Sequence, residues 1–136
     1  MMSSLKEILI VEGKRLEELL VLLDKQYKLI LNKDVFNMEA ITEEIQLKNK
    51  EVAEAEVQRR KFLGDTSIRE YVNNSKDSEL DEVYRAMQRL LNELILQKDT
   101  NELLIKQQLA FTNKLLNIMN PKKDAATYNS YGNIKR

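Results

Sequence analysis

The chain has 136 residues, enough for one domain, and 43% of them are apolar against 32% charged, which is too apolar for a disordered chain. Twenty-two Lys+Arg balance 22 Asp+Glu, so no basic face of the kind nucleic acid needs is expected. Three glycines and one proline are too few breakers for a sheet protein, and they predict an all-α fold of long helices with short connections.

The first helix is predicted over about residues 4–31. Ser3 or Ser4 can cap it, and Glu7 stands three residues beyond Ser4 as a capping-box partner. Leu5, Ile8, Leu9, Leu16, Leu19, Leu20, Leu23, Tyr27, Ile30 and Leu31 recur at three- and four-residue spacing, the signature of one buried helical face. Gly13 interrupts this pattern at a cost of about 1 kcal/mol relative to alanine; it either permits close helix approach or is a tolerated surface glycine. The longest unbroken apolar run is Leu19 to Leu23, far short of the roughly 20 residues of a membrane span. Direct membrane insertion is therefore not expected. The N-terminus lacks a basic segment, an apolar block and a small-residue cleavage site. Cysteine is absent, which fits a reducing compartment, and a cytoplasmic location is expected.

Asn32-Lys33-Asp34 is a short polar break, and Asp34 can cap a second helix over about 35–63. Val35, Met38, Ile41, Ile45, Val52, Ala55 and Phe62 form its apolar stripe, which Gln46, Lys48, Asn49 and Gln58 thin out. Two long helices joined by so tight a turn should pack as an antiparallel hairpin. Gly64-Asp65-Thr66 ends the second helix. Residues 65–77 are the least regular stretch, with Ile68, Tyr71 and Val72 suited to a short helical turn and Asn73-Asn74-Ser75-Lys76-Asp77 reading as a loop.

A longer third helix is predicted over about 78–120, capped by Ser78 or Asp77 and stopped by the only proline, Pro121. One stripe runs Leu80, Val83, Met87, Leu90, Leu94, Leu104, Phe111, Leu115 and Ile118. A second runs Tyr84, Leu91, Ile95, Ile105, Leu109, Leu116 and Met119. Together they are wide enough for two neighbouring helices. Gln97, Asn101 and Gln108 interrupt the first stripe, where a polar residue fixes register at some cost in stability or serves a partner directly. At about 1.5 Å per residue, the first helix spans roughly 40 Å and the third roughly 65 Å. Helices running up, down and up would leave Leu104 to Met119 uncovered, either for a partner, for self-association or for a bend that folds the helix back.

The chemistry of catalysis is missing from these elements. There is no histidine and no cysteine, which removes triads, imidazole metal sites and thiolate sites. Gly13, Gly64 and Gly132 each stand alone, so no phosphate-cradling loop can be built. Glu17-Glu18 and Glu43-Glu44 are adjacent carboxylates that point about 100° apart on a helix and are poor acid/base partners. No enzyme activity and no cofactor are expected.

The C-terminal third carries a resemblance. Leu90-Leu91-Asn92, Asn101-Glu102-Leu103-Leu104, Leu109-Ala110-Phe111, Leu115-Leu116-Asn117-Ile118-Met119-Asn120-Pro121 and Thr127-Tyr128-Asn129-Ser130-Tyr131-Gly132 resemble FlgN-type flagellar export chaperones. That pattern has an N-x-x-L-L segment, an L-x-F segment, a leucine pair before a proline-bearing break and a Y-N-x-x-G tail. Arg59-Arg60 lies where a basic residue closes the second helix of such chaperones. The resemblance implies a helical, non-enzymatic, cytoplasmic chaperone of flagellar type III secretion. Its clients would be the hook-associated proteins that join hook to filament, held by their C-terminal segments and delivered to the cytoplasmic domain of the export gate. On this reading residues 1–120 are a helical chaperone domain and 121–136 a flexible docking tail. Leu104, Leu109, Phe111, Leu115, Leu116, Ile118 and Met119 would capture the client as a helix in a groove. Tyr128 and Asn129 would contact the gate, with Gly132 permitting a turn. A client-free chain could cover its groove by forming a homodimer. The rival readings are a self-associating structural coiled coil, and a chaperone for another flagellar substrate such as filament protein or cap.

Overall fold

A computed structural model describes residues 4–120, and these form four helices joined by short turns. They are α1 (Leu5–Leu31), α2 (Val35–Leu63), α3 (Ile68–Ser75) and α4 (Ser78–Met119). The described chain is all-helical, as expected. No helix among the described residues is long and apolar enough to cross a membrane.

Each helix starts where a short polar side chain can satisfy its first free N–H groups. Ser4 Oγ accepts from Glu7 N and donates to the Glu7 carboxylate. Asp34 accepts from Asn37 N at 3.2 Å, and Ser67 from Glu70 N at 3.1 Å. Of the two candidates at the start of α4, Asp77 is the cap: its Oδ1 accepts from both Glu79 N and Leu80 N. The segment 65–77 is more helical than expected. Asn73, Asn74 and Ser75 belong to α3 rather than to a loop, because burial of Val72 ties that turn to the core.

The turn between α1 and α2 ends α1 with a Schellman arrangement. Lys33 N donates to Ile30 O and Asp34 N to Leu29 O, while Lys33 takes the left-handed conformation that glycine usually holds, at φ 55°. At the end of α2, Gly64 has φ 60° and its N–H donates to Arg60 O, a conformation that side chains resist.

The described residues fall into two units, 4–101 and 102–120. In the first, Glu18 pairs with Lys48 at 2.9 Å and Glu12 with Arg59 at 3.0 Å, so α1 and α2 run antiparallel. Lys6 reaches Glu79 at 2.7 Å and Asn101 Nδ2 donates to Leu23 O at 2.8 Å, so the first part of α4 runs parallel to α1. The buried positions recur every seven residues: Leu9, Leu16, Leu23 and Ile30 on α1, and Leu80, Met87, Leu94 and Asn101 on α4. Each buried leucine contributes about 1.5–3 kcal/mol by leaving water. The side of α2 facing this core is thinner, as its sequence predicts. Only Ile41 is fully buried there, with Ile45, Val52 and Phe62 half-buried. Phe62 meets Tyr71 of α3 edge-to-face at 5.5 Å.

Three details of the expected stripes are corrected. Leu31 and Val35, which flank the hairpin turn, are 53% and 79% exposed. Leu22, outside the expected stripe, is buried in the crease against α2 near Leu47 and Lys48. The described part of the second unit is the remainder of α4. Asn120 N closes it by donating to Leu116 O at 2.8 Å, and a residue preceding proline is disfavoured in helical conformation.

Candidate functional site

The last turns of α4 carry the candidate site. At about 100° per residue, Leu104, Leu109, Phe111, Leu115, Leu116, Ile118 and Met119 fall within one half of the helix circumference. Leu104 is half-buried, and the other six are exposed. Leu109 and Phe111 are 59% and 58% exposed, Ile118 and Met119 more than 70%. Lys106, Lys114 and Asn117 occupy the other half together with the exposed Leu103, while Gln108 and Thr112 fall inside the arc. Ile105 falls on the same arc and is half-buried; its place in the second stripe was the signal that could have added it to the site. Tyr128, Asn129 and Gly132, and with them the docking tail, lie outside the described residues.

Before this arc, α4 ends its packed stretch in a polar layer. Asn101 is 1% exposed. Its Nδ2 donates to Leu23 O and to Gln26 Oε1, and its Oδ1 accepts from Gln97 Nε2 at 2.9 Å. A buried amide with both donor hydrogens and its oxygen engaged is stable only in one register of α4 against α1. The geometry fits the register reading of Asn101 made from its position in the stripe. Gln26, its partner, was not singled out from sequence, although it stands seven-residue steps from Leu5, Glu12 and Leu19 on α1.

A second polar contact lies in the same unit. The Glu12 carboxylate is buried, with its side chain 4% exposed, and pairs with Arg59 Nε at 3.0 Å. Burial raises its pKa above the ordinary 4.5, and the neighbouring Arg59 opposes that shift. Elsewhere, Lys48 is shared between Glu18 and Glu51. The Lys48 hydrogen bond holds Glu18 below the ordinary carboxylate range. Glu12–Arg59 and Glu18–Lys48 are ion pairs between α1 and α2, and Lys48–Glu51 lies within α2. Among the described residues no group of His, Cys, Asp or Glu could hold a metal ion.

The described residues thus form a helical chain with an exposed leucine-rich arc at the end of its longest helix. The model of the FlgN protein family matches residues 1–136, the whole chain. The chain belongs to the FlgN family. FlgN proteins are flagellar export chaperones, a chaperone family not known for enzymatic activity. No curated protein and no solved structure matches the chain.

Proposed function

We propose that this FlgN-family chain is a cytoplasmic chaperone for hook-associated proteins, holding their C-terminal segments on the arc of α4 and delivering them to the flagellar export gate. The observation that carries this reading is the exposure of an apolar arc from Leu109 to Met119 on an otherwise regular helix. A soluble chain keeps so much apolar surface in water only where a partner covers it. An amphipathic client helix laid along the arc would bury Leu109, Phe111, Leu115, Leu116, Ile118 and Met119, with Leu104 at its edge. The packed helices of residues 4–101 form a three-helix coiled-coil frame of their own.

The segment 121–136 serves as a flexible handle for the cytoplasmic domain of the gate. Tyr128 offers a large ring with little entropy to lose on docking, Asn129 adds a polar contact, and Gly132 allows the chain to turn. Capture and delivery are thus carried by separate segments. Release needs no nucleotide on the chaperone; competing contacts at the gate and the secretion machinery drive the handover.

Two variants test the division of labour. Leu109→Asp with Phe111→Asp should abolish client binding while circular dichroism stays helical. Loss of helicity in the double variant would instead make those residues part of the folded core. Deletion of residues 122–136 should spare client binding in a pull-down and weaken gate binding. Loss of client binding on that deletion would contradict the assignment of capture to α4.

A further inference from the structure

The exposed side of α1 carries a pattern that its core packing does not explain. Ile10, Lys14, Glu17 and Val21 follow one another at steps of four, three and four residues, so they form a single ridge along the helix. Ile10 and Val21 are 53% and 56% exposed. Beside the ridge runs a crease of about 350 Å³ between α1 and α4, into which Arg89 and Glu93 of α4 also project. Lys14, Glu17, Arg89 and Glu93 form no ion pair among the described residues, unlike the charges on the α2 side of α1.

The order of charges is the informative feature. The parallel helices α1 and α4 line the crease with Lys14 and then Glu17, and with Arg89 and then Glu93, respectively. The crease therefore has a positive step followed, one turn on, by a negative step. Outside them lie the two exposed apolar residues of the ridge. This sequence of apolar, cation, anion, apolar is its own complement when reversed. We propose that the α1 ridge is the interface of an antiparallel homodimer, a second copy of this chain docking about a two-fold axis level with Arg15 and Leu16.

In that pairing Lys14 of each copy faces Glu17 of the other, and Ile10 of each faces Val21 of the other. Self-complementarity of one patch is what a two-fold interface requires. Gly13 lies beside the centre, and the space where its Cβ would stand is open, with no atom within 4 Å. The partner's ridge can therefore approach the α1 backbone at that level. This also gives a use to a glycine that weakens the helix. The interface draws on residues of α1 and the first half of α4, none of them in the client arc. The proposal therefore stands independently of client identity.

The test uses the full chain in sedimentation equilibrium at low salt, where exposed charge pairs act most strongly. Wild type should show a reversible monomer–dimer equilibrium. Lys14→Glu alone and Glu17→Lys alone should each shift the equilibrium towards monomer, because each sets like charges face to face. An equimolar mixture of the two single variants should form a heterodimer, since both of its cross-pairs are again opposite in charge. The doubly swapped chain, Lys14→Glu with Glu17→Lys, should recover the wild-type dimer. Circular dichroism confirms that each variant is folded. A monomeric wild type overturns the proposal. So does a dimer that survives both single reversals, or one that is lost only with Leu109→Asp and Phe111→Asp, which would place the contact on α4.

Discussion

Glu12 is held in the core by one partner, Arg59, which is itself about one-fifth exposed. Breaking a buried pair by removing one member leaves an uncompensated charge, at a cost of about 3 kcal/mol or more. Arg59→Ala should therefore lower the urea midpoint by at least that equivalent, far more than Arg60→Ala, whose pair with Glu56 is exposed. The sign with pH follows from the raised pKa of Glu12. The folded state binds the proton more tightly than the unfolded chain, so this site's contribution is full below about pH 4.5 and is lost as pH rises through the folded pKa. Glu12→Gln removes that dependence. Denaturation of wild type and variant at neutral pH and near pH 4.5 should show the difference moving in favour of wild type on acidification. Asn101 sits in a different balance. Asn101→Ala leaves the Gln26 and Gln97 side chains without their partner and should cost about 1–3 kcal/mol, measured by the same method.

At the scale of elements, the caps and turns set the boundaries. Lys33 is left-handed at a site where glycine has no steric penalty. Lys33→Gly should raise stability by about 0.5–1 kcal/mol in thermal denaturation. Gly64→Ala should lower it by about 1–3 kcal/mol, from backbone strain alone, since the space around Gly64 is open. The extent of α1, α2 and α4 was legible in the sequence because each combines an amphipathic stripe with a capping residue, and Ser4, Asp34 and Asp77 are where those signals stand. The helicity of Asn73 to Ser75 was not legible. Those residues favour turns locally, and Val72 overrides them only through its contact with the core. Burial of Glu12 was hidden for a similar reason: a glutamate on a leucine helix reads as a solvated face until Arg59 is seen beside it. The arc from Leu109 to Met119 was visible as a stripe, and its exposure was expected from the length of the last helix against the first two; the half-burial of Leu104 was not.

At the largest scale, packed core and exposed arc fall on different stretches of the described residues. The packed leucines lie within residues 4–101, and the exposed arc lies on the last turns of α4. Membership of the FlgN family places this arrangement in flagellar export. The central claim is that the arc takes a hook-associated client by the client's C-terminal segment. Co-expression with a hook-associated protein from the same genome, followed by size-exclusion chromatography with light scattering, tests it most directly. The account predicts a complex of defined mass that disappears when the client's C-terminal segment is removed. A client that elutes unbound, or a complex that persists without that segment, would contradict it.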